Sequence, residues 1–149
     1  MDELVRQLKQ IYVLLDDSER RALRSVAVTP TQVGLLAAVS RAPAGLTVSA
    51  LAKELLCSRG NVTRLVQRLT ESGLVTAAGD DHDQRLVLVH LTKRGHRLLA
   101  QAQRSLAAES ARLQDHLTAA QVQRLVALTA KLALALEKHL AQDFAETTP

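Results

Sequence analysis

Aromatic side chains are almost absent from this sequence. Its 149 residues include one Tyr, one Phe and no Trp. Proteins usually hold single-stranded nucleic acid by stacking its bases on aromatic rings, and this sequence has almost no rings for that purpose. A core without rings has to be filled by Leu, Val and Ala, which suits the packing of helices on helices.

Cysteine is equally scarce, and long apolar runs are missing. Cys57 is the only cysteine, which excludes a disulfide within the chain and a zinc site built on the cysteines of one chain. The longest run without a charged residue, Ser25 to Ser40, is broken by Pro30, whereas a membrane-spanning helix needs about 18 apolar residues. The acidic start at Asp2 and Glu3 is unlike a secretory signal. We therefore expect a cytoplasmic protein that makes no contact with a membrane.

Positive charge is concentrated in the middle of the chain. The 19 Lys and Arg residues exceed the 15 Asp and Glu residues by four. Residues 47–104 hold 9 basic and 5 acidic residues, whereas residues 1–46 hold 6 and 5 and residues 105–149 hold 4 and 5. A basic segment between two nearly neutral ones is typical of a module that binds a polyanion, although a solvated surface gives the same count.

Hydrophobic spacing and capping signals predict six helices and one hairpin in a single domain, residues 1–149. The first helix runs from Asp2 into the mid-twenties, with a break near Asp16-Asp17-Ser18. Side chains that suit N-caps precede the next five helices, and two of them belong to capping boxes. These caps are Thr29, Thr47, Ser58, Thr92 and Thr118. Two strands are predicted at residues 74–77 and 85–91, with a polar hairpin tip between them.

The first and last helices are apolar around much of their circumference. In the last helix, Leu128 and Leu134 lie off the narrow stripe formed by Val122, Leu125 and Leu132. A small monomer offers little against which to bury such helices, so a subunit interface is expected. An ordinary monomeric bundle is the alternative.

The third and fourth helices are short and are joined by Leu56-Cys57-Ser58, which is typical of a helix-turn-helix. On a helical wheel, the fourth helix has an apolar side made of Val62, Leu65, Val66 and Leu69. Its polar side carries Gly60, Thr63, Arg64 and Gln67, flanked by Arg59, Asn61 and Arg68. Arg recognises guanine, Gln or Asn recognises adenine, and Thr contacts the thymine methyl in the major groove. An amphipathic surface helix is the alternative interpretation.

The hairpin tip supplies a second candidate contact. Arg85 lies where the tip meets the second strand, and an arginine there can enter the minor groove. Three nearby aspartates repel phosphate, although one of them can orient Arg85 through a charge-assisted hydrogen bond. His82 is a further candidate contact at this tip. A plain solvated loop is the alternative.

These segments together resemble the MarR family of transcriptional regulators. The residues that carry the resemblance follow the family's order and spacing. They are Leu51-Ala52, residues 61–69, Gly73-Leu74-Val75, Asp83-x-Arg85 and Leu91-Thr92-x-x-Gly95. The resemblance implies a mostly α fold with a small β-hairpin wing at residues 76–90. It also implies N- and C-terminal helical dimerisation arms at residues 1–28 and 105–143 around a winged helix-turn-helix lobe at residues 29–104.

The implied function is that of a ligand-responsive repressor, a homodimer that binds a pseudo-palindromic duplex through the fourth helix and the wing. The implied DNA-binding residues are Ser58, Arg59, Asn61, Thr63, Arg64, Gln67, Arg68, His82 and Arg85. A small-molecule effector, often an aromatic acid, is expected where the arms meet the DNA-binding lobe, but the sequence assigns no ligand-binding residue. The neutral Thr76-Ala77-Ala78 departs from the family, whose members often have a basic residue here.

Other functions remain open on the sequence. Cys57 lies near Arg59 and a helix N-terminus, which favours a redox-active thiol, but a small packed side chain is the simpler interpretation. Tyr12 is expected to be a core residue rather than a ligand contact. His82 between two aspartates suggests a metal loop, but adjacent residues at a loop tip rarely form a closed metal site. No nucleophile motif appears in the sequence either, so we expect no enzyme, cofactor or metal. A winged helix that serves only protein contacts is a further alternative.

Overall fold

The fold is mostly helical, with one small antiparallel sheet, as the sequence predicts. The computed structural model describes residues 1–79, 87–114 and 116–146, and it contains two compact units, residues 1–109 and 110–149. Within the described residues, the elements follow in the order α1 (Asp2–Ala22), a 3-10 turn (Arg24–Val26), α2 (Pro30–Ser40), β1 (Leu46–Thr47), α3 (Val48–Glu54), α4 (Arg59–Glu71), β2 (Val75–Gly79), β3 (Val87–Leu91), α5 (Lys93–Gln114) and α6 (Ala119–Glu146).

Side-chain caps start the helices where the sequence predicts them. The Thr29 hydroxyl accepts a hydrogen bond from the Gln32 amide at 3.2 Å, and the Gln32 side chain accepts one from the Thr29 amide at 2.9 Å. The same reciprocal pair joins Thr118 and Gln121 before α6, at 3.3 and 2.8 Å. Each box satisfies two backbone donors that a helix start otherwise leaves free, which fixes where α2 and α6 begin.

The sheet has three strands in the order β1-β3-β2, all antiparallel. The register pairs Val75 with Leu91 in the hairpin and Leu46 with Val89 at the third strand. Both hairpin strands were predicted, although β2 extends two residues further than expected, to Gly79. β1 was not predicted, because a strand of two residues is too short to show an alternating pattern.

The core of the first unit is aliphatic throughout. Leu35 and Leu36 of α2 are both fully buried, so this helix is apolar on adjacent sides and lies at the centre of the unit. Large fully buried side chains come from the other elements of this unit as well. They are Leu23, Leu51, Val62, Leu69, Val75 and Val89. The expectation of a core without aromatic rings is confirmed within the described residues.

α1 is continuous, against the expected break at Asp16-Asp17-Ser18. Two ion pairs at i,i+4 spacing cross that point, from Arg20 to Asp16 at 2.7 Å and from Arg21 to Asp17 at 2.6 Å. Such pairs support an exposed helix, which outweighs the poor helix propensity of the two aspartates. The Tyr12 side chain is 71% exposed on this helix, so its assignment to the core was wrong for the single chain.

α1 and the described side chains of α6 leave most of their large apolar residues exposed to water. α1 has no buried residue, and α6 has none between residues 119 and 139. The exposed large apolar side chains of α1 are Leu4, Val5, Ile11, Tyr12, Val13, Leu14 and Leu15. Those of α6 are Leu125, Val126, Leu128, Leu134 and Leu136. Apolar surfaces of this extent usually mark an interaction site.

One segment of α6, Ala119–His139, is long and apolar enough to cross a bilayer by length and composition. The sequence does not show this segment as an uncharged run, because Arg124 and Lys131 interrupt it. One weakly apolar helix is not by itself a membrane span, since helices from subunit interfaces have the same length and composition.

The turn between α3 and α4 contains a strained leucine. Leu56 has φ +50°, which is the left-handed region, and its side chain is 85% exposed. Its amide donates to the Lys53 carbonyl at 3.3 Å, and the Cys57 amide donates to the Ala52 carbonyl at 3.0 Å. This is the Schellman ending of a helix, in which the left-handed position usually holds glycine. α4 ends in the same motif with Gly73 at that position, φ +67°.

Replacing Leu56 by glycine should therefore stabilise the protein. Leu56→Gly removes the left-handed strain and gives up little apolar burial, so the free energy of unfolding should rise by about 0.5–1 kcal/mol. Lys53→Gly, at an ordinary helical position of α3, is the matched control and should lower it by about 0.5–1 kcal/mol. Urea denaturation of the two variants measures both changes, and a loss of stability in Leu56→Gly contradicts the assignment of strain.

Candidate nucleic-acid interface

α4 is held in place by its apolar side. Val62, Val66 and Leu69 are 1%, 6% and 0% exposed, and Leu65 is half-buried against the same core. These are the four residues that the helical wheel places together. Burial of this stripe fixes the rotation of α4 about its own axis, because any other rotation would expose it to water.

The opposite side of α4 faces solvent, as the wheel predicts. We call it the polar face of α4 and define it by Arg59, Asn61, Thr63, Arg64, Gln67 and Arg68, all exposed. The Thr63 hydroxyl donates to the Arg59 carbonyl at 2.9 Å, and the Gln67 amide donates to the Glu71 carboxylate at 3.1 Å. The Arg64 guanidinium is within 3.4 Å of the Gly60 carbonyl, which is a long contact. The hydrogen bonds that Thr63, Arg64 and Gln67 donate therefore all have their acceptors within α4.

The arginines of the polar face have no ion-pair partner among residues 1–79, 87–114 and 116–146. Four other arginines of that part of the chain are paired, in the pairs Arg6–Glu3, Arg20–Asp16, Arg21–Asp17 and Arg41–Glu54. Three positive charges along two turns of α4 are thus left to the solvent or to an outside anion.

The start of α4 is capped by Ser58. Its hydroxyl accepts a hydrogen bond from the Asn61 amide at 3.3 Å, so the first turn forms where the sequence predicts. Gly60 has open space where a side chain would point, with nothing within 4 Å. The backbone of this turn is therefore accessible to a molecule that approaches from outside.

A pocket of about 220 Å³ lies beside α4. It is lined by residues of α2, of the helix-turn-helix turn and of α4. They are Thr31, Leu55, Cys57, Asn61, Val62, Arg64, Leu65 and Arg68. The contribution of Thr31 was missed, because only the folded chain brings the start of α2 next to α4. Cys57 is half-buried, and its thiol donates to the Leu55 carbonyl at 3.2 Å. Its redox role stays a prediction.

The sheet positions the base of the hairpin, and the described strands end at Gly79 and Val87. His82 and Arg85, the two contacts predicted at the tip, lie outside the described residues. Within the described part of the chain, no group of three or more His, Cys, Asp or Glu side chains is arranged to hold a metal ion.

Comparison with known proteins relates this arrangement of helices and sheet to a protein family. Residues 28–86, which include α2, β1, α3, α4 and β2, match the model of the MarR family. Residues 28–86 are thus similar to the MarR family, and the helices and strands described within them are those of a winged helix-turn-helix. The family is one of transcriptional regulators rather than a class of enzymes.

Similar proteins agree with this assignment. BadR of Rhodopseudomonas palustris, named a transcriptional activatory protein, is 34% identical over 96 residues, which is 63% of this chain and 55% of BadR. The chain thus spans about half the length of this curated relative. The apo structure of MarR from E. coli is 28% identical with a TM-score of 0.75, covering 87% of this chain and 96% of MarR. A mutant MarR from E. coli in complex with operator DNA, also 28% identical, has a TM-score of 0.81 and covers 87% and 93%.

The cap at Ser58 makes a testable contribution to this site. Ser58→Ala should lower the free energy of unfolding by about 1 kcal/mol and speed hydrogen exchange at the Asn61 amide, which loses its acceptor. Ser72→Ala is the matched control, because the Ser72 hydroxyl donates to the Arg68 carbonyl at the other end of α4. Unchanged exchange at Asn61 in Ser58→Ala would show that the cap does not hold the first turn.

Proposed function

We propose that this protein is a cytoplasmic transcriptional regulator that binds a pseudo-palindromic DNA duplex as a homodimer. α4 is its recognition helix and lies in the major groove. The observation that carries the proposal is the polar face of α4, where Arg59, Arg64 and Arg68 have no anionic partner in the described chain while the opposite side of the helix is buried.

The chemistry of this face suits base recognition as well as phosphate binding. Arg64 and Arg68 offer paired donors for guanine, Asn61 and Gln67 can pair with adenine, and Thr63 can contact the thymine methyl. Ser58 and Arg59, at the start of α4, suit phosphate, which also profits from the helix N-terminus. His82 and Arg85 are proposed as the contacts from the wing. The structure of a mutant E. coli MarR in complex with operator DNA, to which this chain is similar, supports DNA as the partner.

Arg64 provides the central test. With a duplex that the unaltered protein selects from a random-sequence pool, Arg64→Ala should weaken binding by about 1–3 kcal/mol and relax the choice of base at one position of each half-site. Fluorescence anisotropy measures the affinity, and a second selection measures the base choice. Arg104→Ala, which removes an exposed charge from α5, is the matched control and should change neither strongly.

Salt separates this function from its main alternative. The affinity of the unaltered protein should fall steeply with salt, because neutralised phosphates release their counterions. Selection of no duplex, or an affinity that does not change with salt, would contradict DNA binding and favour a winged helix that serves only protein contacts.

We propose a second copy of this chain as the occupant of the apolar faces of α1 and α6. The two faces carry twelve large side chains that are each at least 42% exposed. Two copies offer each other surfaces of the same composition, which is how most homodimers with a two-fold axis assemble. A two-fold dimer also presents two copies of α4, which matches the symmetry of a pseudo-palindrome.

Leu128 tests the assembly. Leu128→Glu puts a charge on the apolar face of α6, where the Leu128 side chain is 56% exposed, and should weaken the dimer by about tenfold or more because the charge must be desolvated on assembly. Gln123→Glu makes the same change of charge on the same helix and should leave the dimer intact. Sedimentation equilibrium measures both. A monomeric unaltered protein would overturn the homodimer.

We further propose that a small molecule controls DNA binding and that the protein acts as a repressor. The pocket beside α4 is lined by Asn61, Arg64 and Arg68, which are also proposed DNA contacts. An anionic ligand there would compete with DNA for the same arginines, so its binding would lower the population of DNA-bound protein. A reporter gene placed behind the selected duplex measures the sign of regulation, and its induction by added small acids measures the response to a ligand.

A further inference from the structure

The end of α4 is joined to the start of α5 by one hydroxyl group. The Thr92 hydroxyl donates to the Gly73 carbonyl at 2.8 Å and lies 3.2 Å from the Leu74 carbonyl. Its oxygen also accepts a hydrogen bond from the Gly95 amide at 3.0 Å. One side chain therefore bonds the segment that follows α4 and the first turn of α5 at the same time.

Backbone contacts reinforce the same junction. The Thr92 amide donates to the Leu74 carbonyl at 3.1 Å, which continues the ladder between β2 and β3. Gly73 adopts the left-handed conformation that ends α4, so its carbonyl and that of Leu74 both come within reach of Thr92. The junction is thus set by the way in which α4 terminates.

Gly95 makes the approach of the two helices possible. A Cβ atom at this position would lie 2.1 Å from the Leu74 carbonyl oxygen and 3.1 Å from a methyl carbon of Leu91. Atoms do not approach that closely, so any larger residue would force α5 away from the end of α4. Gly95 is itself buried at this contact.

Other contacts of α5 lie further from the end of α4. Its apolar contacts with the core come from Leu98, Leu99, Ala102 and Leu106, all beyond its first turn, and such contacts resist separation but are not directional. The Ser18 hydroxyl donates to the Glu109 carboxylate at 2.7 Å, which joins α5 to α1 and not to α4. The hydrogen bonds of Thr92 are directional and lie at the end of α4 itself, so this junction acts most directly on the orientation of α4 with respect to α5.

We propose that Thr92 and Gly95 are positioning residues that make α4 and α5 move as one body and thereby set the separation of the two recognition helices in the dimer. This inference rests on the proposed function, in which residues 105–143 form the dimerisation region. α5 is the chain segment that leads from the junction into that region. A looser junction lets α4 adopt several orientations, so that one half-site spacing is no longer strongly preferred.

The test compares two duplexes that differ only in half-site spacing. One is the duplex selected by the unaltered protein from a random-sequence pool, and the other has one base pair inserted between its half-sites. Thr92→Val removes the hydroxyl and keeps the shape. The ratio of the two affinities should fall by roughly twofold to tenfold, the change expected from loss of one side-chain hydrogen bond. Thr92→Ser should restore the ratio.

The ratio distinguishes positioning from stability. Partial unfolding lowers both affinities by the same factor and leaves their ratio unchanged, so a Thr92→Val variant that is only less stable keeps the preference of the unaltered protein. Thr70→Val is the matched control, because the Thr70 hydroxyl bonds the Val66 carbonyl within α4 and spans no junction. Gly95→Ala, which forces the helices apart, should reduce the ratio at least as strongly as Thr92→Val.

Two results would overturn the inference. If the unaltered protein prefers one spacing and both Thr92→Val and Gly95→Ala keep that preference, the junction does not set the spacing while the proposed function stands. If the unaltered protein binds both duplexes equally, the proposed dimeric binding mode fails and the inference fails with it.

Discussion

Val62, Val66 and Leu69 leave the water when α4 packs on the aliphatic core, and the remaining features of the site depend on that burial. Each such side chain contributes roughly 1.5–3 kcal/mol relative to an exposed position. The backbone of α4 can rotate about its axis only by giving this up, so the polar face is fixed without any interaction of its own. Its arginines, which have no ion-pair partner in the described residues, therefore remain available to an outside partner while the core supplies the rigidity.

The arginines of α1 and those of α4 differ in their partners. On α1, three arginines are paired with acidic residues one turn away along the same exposed helix. On α4, Arg64 and Arg68 are one turn apart with no such partner in the described residues, and like charges at that spacing cost a few tenths of a kcal/mol. The proposed binding of a polyanion to this face would offset that cost, and the excess of basic residues in the middle of the sequence agrees with such a partner.

Local signals made most of the fold predictable. The hydroxyl caps at Thr29, Thr47, Ser58, Thr92 and Thr118 all bond the backbone amides that their positions predict, because a cap depends only on the next three residues. The buried and exposed sides of α4 followed from its helical period alone. Features that depend on distant contacts escaped prediction, among them β1, whose two residues are held by pairing with β3.

Leu56 and Thr92 show why the rest of the site could not be predicted. A leucine gives no sequence signal for the left-handed conformation, which Leu56 adopts because α3 must end before α4 begins. Thr92 was predicted as a cap, and it is one, but its hydrogen bond to Gly73 joins residues 19 positions apart. The pocket beside α4 likewise depends on Thr31, which only the tertiary fold brings there.

The charges of α6 distinguish the two environments that its apolar face could occupy. Arg124, Lys131 and Lys138 recur every seven residues, which places them on one stripe along the helix, and all three are exposed. A helix that crossed a bilayer would carry Lys131 near the middle of the hydrocarbon, at a cost of about 2.5–3.5 kcal/mol. A helix that packs against a second copy keeps this stripe in water and can bury Leu125 and Leu136, which lie more than a quarter of the way round the helix from it. The pattern therefore favours a protein partner over lipid. A protein partner covers one side of the helix and leaves the charged stripe in water, whereas a bilayer would surround the stripe with hydrocarbon.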